Sequence, residues 1–323
     1  MEKTLTRTLL ASALLLALAP AHAVTPGDAI SEPAFVAVNG RFGSCSGTVL
    51  ANHWVVTAAH CLTKAGDSVR SQGNQFASVK QVLVHPFSTG GAVFDMLLLE
   101  LATPLAQVYP VNPVEPVADT EQQLAGYSPV HGGDLQRTRA KANGQDDVAT
   151  FEDDGKYDLH KDMGKSDPGD SGGPCYNEQG VWGAISTDYM CNSLFAEKTK
   201  AWLLESINSW SHATVVKGSG NLTVQVQSLH QAPEVLNPVA EGGLQLVSNS
   251  CERDQVQPFG RCEVVVNGAG QLRIGEGVIE VNAKEEVPPQ PEGNGGGGDS
   301  GGGAAGWLAL LGLGALVARR RRG

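Results

Sequence analysis

The sequence predicts an all-β protein in two unequal parts, with one helix between them. Three observations carry this. Apolar runs of four to seven residues, broken by Gly, Pro, Asn and Ser, fill residues 33 to about 130. A single segment near residue 200 has helical spacing, and a second set of alternating strands follows it. With 323 residues, 41% apolar and 18% charged, there is material for one large domain and a small one.

Residues 1–23 run from "MEKTLTR", carrying Lys3 and Arg7, through the apolar "LLASALLLALA" to "AHA" at Ala23. A basic start, a short apolar stretch and a small-x-small end form a secretory signal peptide, so signal peptidase is an expected partner and Val24 the expected mature start. The first domain is expected over residues 24–212. Its strands are read from "AFVAV", "SGTVL", "WVVTAA", "KQVLVHP", "DMLLLEL" and "QLAGY". Residues 144–169 are polar and acidic, the composition of surface loops. Strand character returns in "GVWGAIST". In "EKTKAWLLESINSW", Ala201, Leu203, Leu204, Ile207 and Trp210 repeat at helical spacing, which closes the domain near residue 212.

Residues 213–284 alternate again in "NLTVQVQSLH", "GLQLVSNSC", "GRCEVVVNG" and "GQLRIGEGVIEVNA", and Asn267-Gly268 reads as a hairpin turn. That length and strand number suit a small immunoglobulin-like β-sandwich, a spacer or binding module. A Pro/Gly-rich linker is expected over 285–303, then a short apolar helix and the cluster Arg319 to Arg322 over 304–323. The apolar run is shorter than the roughly 20 residues of a relaxed membrane span, so lasting or transient membrane association is expected only through residues 304–318.

The formal charge is −11, and without the basic ends the remaining body is more acidic still. Nucleic acid is excluded as a partner, because phosphate binding needs the opposite sign. Six cysteines fall in three local pairs, with no CxxC spacing of a zinc knuckle. Export makes disulfides the default, and the local pairs predict Cys45–Cys61, Cys175–Cys191 and Cys251–Cys262.

Three stretches carry chemistry. In "SCSGTVLANHWVVTAAHC", a bond between Cys45 and Cys61 would pin the neighbour of His60, a candidate general base. In "VLVHPFSTGGAVFDMLLLEL", Asp95 precedes an apolar strand, so its carboxylate is desolvated and needs a donor that the His60 imidazole could supply. In "DPGDSGGPC", Ser171 is a nucleophile candidate; the backbone N–H groups of Gly169 and Ser171 are placed to hold an oxyanion, and Gly172 and Gly173 leave room for a substrate.

"TAAHC", a "VHP" stretch followed by Asp and an apolar strand, and "GDSGGP", in that order, resemble the chymotrypsin- and trypsin-like serine proteases over residues 24–212. The "GY...GGDLQR" stretch around Gly126 to Arg137 looks like that family's entry to its second barrel. The resemblance implies a two-barrel fold with a C-terminal helix, a triad of His60, Asp95 and Ser171, protein or peptide substrates and no cofactor. It also implies that Asp170 pairs with a newly exposed amino terminus, here Val24. The expected specificity pocket departs from the family: Lys165 and Asp167 stand where the trypsin branch has Asp and Cys, and the wall reads Ser186-Thr187-Asp188. A Lys165 floor favours an acidic side chain, whereas Asp188 favours a basic one; as solvated loop charges they favour neither. The tail over 293–323 resembles GlyGly-type sorting signals of Gram-negative bacteria, which implies export to the medium or cell surface and a rhomboid-like sortase as partner. Two functions follow: a serine endopeptidase, or a surface binding protein on a catalytically degenerate protease domain.

Overall fold

The computed structural model describes residues 24, 27–41, 43–89, 93–143, 156–161, 163–252 and 255–283. The signal peptide, linker and sorting-tail expectations lie outside the described residues. The described residues form one compact unit.

The first half is a closed antiparallel barrel. Its strands stand in the spatial order Phe35–Gly40, Gly43–Ala51, Trp54–Thr57, Leu97–Leu101, Phe76–Val84 and Ser68–Arg70. Five of the six apolar runs read from the sequence before residue 144 supply barrel strands, and the sixth, Glu121–Gly126, enters the second sheet. Val36, Val38, Val49, Val55, Leu97, Leu99 and Leu101 fill the barrel with the Cys45–Cys61 disulfide. A closed barrel leaves no edge strand to recruit another chain.

The second half is a seven-stranded antiparallel sheet in the order Asp28–Ala29, Gln136–Lys141, Glu121–Gly126, Pro174–Asn177, Gly180–Thr187, Met190–Ser193 and Lys156–Asp158. The strand Lys156–Asp158 lies in the stretch expected to be loop. It forms because Tyr157 is buried against Trp182, ring centroids 5.4 Å apart, and donates its hydroxyl to the Pro116 carbonyl. One apolar phenol is enough to anchor an otherwise polar segment.

The helix Glu197–Ile207 buries Thr199, Trp202, Leu203 and Ile207. It ends before Trp210 because Asn208 turns into the left-handed region at φ 38° and its N–H donates to Leu204 O, a standard way to stop a helix. Trp210 and Ser211 then start a strand that pairs with Asn221–Ser228.

The last part is a sandwich of two four-stranded sheets. One is Trp210–Ser211, Asn221–Ser228, Arg261–Asn267 and Gln245–Asn249; the other is Val215–Val216, Gly277–Val281, Gly270–Ile274 and Val239–Gly242. Val224, Val226, Val264 and Val266 from the first face Leu272, Ile274, Ile279 and Val281 from the second in one core. Asn267-Gly268 is not a hairpin: Gly268 and Gly270, both at positive φ, carry the chain from one sheet to the other. The hairpin comes one strand later, where Ile274 pairs Gly277 across Gly275-Glu276.

This sandwich shares core with the barrel and the seven-stranded sheet. Leu229 and Phe259 pack in the cluster that holds Tyr176, Val181, Leu203 and Ile207. The buried Gln227 amide donates to Val111 O and Phe259 O and accepts from Val111 N. A buried backbone pair satisfied by a side chain is costly to separate from it, so the sandwich is fixed where it meets Val111.

Candidate active site

Asp95 is fully buried at the mouth of the barrel, after Phe94 at φ 43°. A left-handed conformation is rare for a bulky residue and survives only where the surroundings fix it. Here the Phe94 ring stacks on His85 at 4.4 Å with 3° between planes, and His85 meets Trp202 edge-on at 4.7 Å. Burial, aided by the Lys198 charge, holds His85 down to about 4, so its ring packs neutral. The "VHP" histidine thus anchors the turn that delivers the aspartate.

Donors converge on the Asp95 carboxylate. His60 Nδ1 lies 2.7 Å from Oδ2 and the His60 backbone N–H donates to Oδ1 at 2.8 Å. The Ser186 hydroxyl also donates to Oδ2, at 2.8 Å. Asn192 grips the main chain, its amide donating to Asp95 O at 2.8 Å while its oxygen accepts from Asp95 N at 3.1 Å. A buried carboxylate with this many donors is the stable form of a group otherwise expensive to desolvate. With Nδ1 committed to Asp95, the other ring nitrogen of His60 is the one available to take up a proton, and its side chain is 38% exposed toward solvent.

The hydroxyl of Ser186, a residue the resemblance places in the specificity pocket, serves Asp95. Asn192 was not singled out at all, since an asparagine in a strand gives no signal until topology sets it beside Asp95.

Ser171 lies in a turn held against the barrel. Ser46 N–H donates to Ser171 O at 2.8 Å, and that oxygen is 3.8 Å from Cys61 Sγ, next to His60. The Ser46 hydroxyl donates to Gly169 O at 2.9 Å and accepts from Tyr127 N. Gly169 at φ 104° and Gly172 at φ 81° have no substitute: a Cβ on the first would strike Pro129, and on the second Thr57 and the Ser46 carbonyl.

Asp170 is fully buried beneath this turn. Its oxygens accept from Asp167 N at 2.8 Å and Ser128 N at 3.1 Å. Burial nevertheless pushes its carboxyl up to about 7, the Asp167 N–H opposing and the Asp167 charge assisting. Val24, also fully buried, packs with Leu124, Trp182 and Ile185 in the neighbouring core.

Lys165 sits 38% exposed with Nζ 3.6 Å from Asp167 Oδ1. Asp188 is exposed, and its carbonyl accepts from Ser166 N at 3.1 Å. The disulfides join Cys45 to Cys61, Cys175 to Cys191 and Cys251 to Cys262. Among the described residues, no group of three or more His, Cys, Asp or Glu is arranged to hold a metal ion, and no helix is long and apolar enough to cross a membrane.

A family model described as Trypsin matches residues 23–195. A trypsin of Simulium vittatum is 32% identical over 95 residues, covering 27% of this chain and 38% of that trypsin. A peptidase of Corynebacterium glutamicum is 25% identical over 214 residues, covering 60% of this chain and 73% of its own length. Among solved structures, the Vibrio cholerae VesB protease covers 79% of this chain and 96% of its own, at 15% identity and a TM-score of 0.47.

Proposed function

The chain belongs to the trypsin family, and from that premise we propose that it is an exported serine endopeptidase working through an acyl-enzyme. His60 takes the Ser171 proton and later returns it to the leaving amine; Asp95 fixes the tautomer and stabilises the imidazolium; Gly169 and Ser171 N–H groups receive the oxyanion. The observation that carries this reading is the buried Asp95 carboxylate bonded to His60 Nδ1 at 2.7 Å. That is the arrangement a general base needs and a degenerate scaffold has no reason to keep.

Activation belongs to the same proposal. A carboxyl raised to about 7 in a closed site is stabilised in its charged form by an incoming cation. Cleavage after Ala23 releases such a cation at Val24, whose side chain already has an apolar seat. Export through residues 1–23, sorting through residues 304–323 by a rhomboid-like sortase, and display at a Gram-negative surface complete the reading.

The test is hydrolysis of a mixed peptide library by protein purified from the culture medium or cell surface, with amino-terminal sequencing and intact mass on the same sample. Cleavage lost in Ser171→Ala, a start at Val24 and a mass lacking the tail are expected. Folded protein without Ser171-dependent cleavage favours the binding-protein alternative. A start well beyond Val24 refutes the activation step, and a retained tail refutes the sorting step.

A further inference from the structure

By the family resemblance, two segments flank the side chain before the scissile bond: the loop 164–169 that leads into the Ser171 turn, and the end of the strand Gly180–Thr187 with Asp188 beyond it. In the proposed reaction the scissile carbonyl points at the Gly169 and Ser171 N–H groups. The side chain preceding the bond then has this loop on one hand and Ser186-Thr187-Asp188 on the other. A deep side-chain slot requires the walls to stand apart.

They are instead bonded to each other. Ser166 N donates to Asp188 O at 3.1 Å, and the Ser166 hydroxyl donates to Thr187 O at 3.1 Å. Backbones joined by an N–H to O=C bond run about 4.8 Å apart, against about 10 Å for layers with side chains packed between them. Ser166 itself is 3% exposed, so its hydroxyl is spent inside the wall. Lys165 and Asp167, which flank it, face one another.

The closure is built into the fold. Thr187 pairs Met190, so only Asp188 and Tyr189 connect the two strands of the wall. Cys191 in the second of these strands is bonded to Cys175, four residues after the nucleophile. Behind the loop, Gly164 N donates to Arg139 O, and a Cβ on Gly164 would strike Thr138. The disulfide on one side and the loop seated on a strand on the other hold the two segments near each other, and the Ser166 bonds set the gap between them.

We propose that the substrate site is shallow and selects a small residue, Gly, Ala or Ser, before the scissile bond, with Ser166 as the specificity-determining residue. Neither Lys165 nor Asp188 then reads a charged side chain. This rests on the endopeptidase reading above and narrows its substrate class.

The experiment is profiling of mature protein with peptides varied only at the residue before the scissile bond, the active fraction being counted by fluorophosphonate labelling. Expected are labelled enzyme and a kcat/KM for Ala at least about tenfold above those for Leu, Phe, Arg and Glu, the size a hydrophobic misfit of a few methylenes produces. Ser166→Ala removes one tie and is expected to raise Val and Leu relative to Ala, per labelled molecule. Labelled enzyme that prefers Arg, Lys, Phe or Glu overturns the shallow site and leaves the endopeptidase reading intact. An unchanged Val-to-Ala ratio in Ser166→Ala overturns the role of that residue. Folded protein that is not labelled overturns the endopeptidase reading, and the shallow site falls with it.

Discussion

On the His60 side of Ser171, six hydrogen bonds tie one aspartate to His60, Ala59, Ser186 and Asn192. On the Lys165 side, two hydrogen bonds from Ser166 join the walls of the cleft to each other. The first flank gathers donors around a charge and leaves His60 open; the second spends its polar groups internally and leaves little for a substrate. In the proposed reading, chemistry is conferred by the first and selectivity by what the second refuses. The comparison teaches that one turn serves two neighbours with different tolerances, since the triad depends on residue types and the cleft on loop length.

The largest effect breaks the first flank. His60→Ala is expected to lower kcat about 10⁴- to 10⁶-fold, as removal of a member of such a unit does, and Asp95→Asn about 10⁴-fold through the wrong tautomer. Steady-state kinetics on any peptide that the parent cleaves checks both, and a loss below about a hundredfold would place the base elsewhere.

Next comes the group under both flanks. With Val24 still joined to Ala23, Asp170 is raised to about 7. Between pH about 4 and 7 the folded chain therefore holds a proton that the unfolded chain has released, and folding stability falls as pH rises through that window. At 1.36 kcal/mol per unit the full loss is about 4 kcal/mol. Asp170→Asn is expected to flatten this slope. Denaturant midpoints of the unprocessed chain at the two ends of the window measure it, and a variant as pH-sensitive as the parent contradicts the assignment.

A smaller effect sharpens the contrast. Ser186→Ala removes one donor to the Asp95 carboxylate and is expected to lower kcat about 10- to 100-fold, the worth of a hydrogen bond to a charged group, with KM little changed. Because Ser186 acts through Asp95 and His60, the acid limb of the kcat/KM profile should move with it. A changed KM with an unmoved profile would return Ser186 to the substrate pocket.

The pairing of His60 with Asp95 was legible in the sequence. His60, Asp95 and Ser171 stand in short stretches whose residue types the proposed reaction dictates, and the apolar runs before residue 144 supplied all the barrel strands but Ser68–Arg70. Ser186 and Asn192 were illegible in their present roles, because a hydroxyl and an amide acquire a partner only when Gly180–Thr187 and Met190–Ser193 fold beside Asp95. The bonds that join Ser166 to Thr187 and Asp188 were equally hidden: Lys165 and Asp188 invite a charge argument, but the two-residue connection between Thr187 and Met190 brings these backbones together. Asn267-Gly268 failed in the other direction, since local turn chemistry does not say whether the next strand rejoins the same sheet. Helical spacing extends to Trp210, and one asparagine in the left-handed region ends the helix at Ile207.

In the proposed reaction Ser171 is a nucleophile activated by His60. Mass-spectrometric mapping of the fluorophosphonate adduct on the mature protein tests it most directly. A single adduct on the peptide containing Ser171, absent from folded His60→Ala under the same conditions, is the predicted result. An adduct on another residue, or labelling of Ser171 at an equal rate without His60, would contradict it.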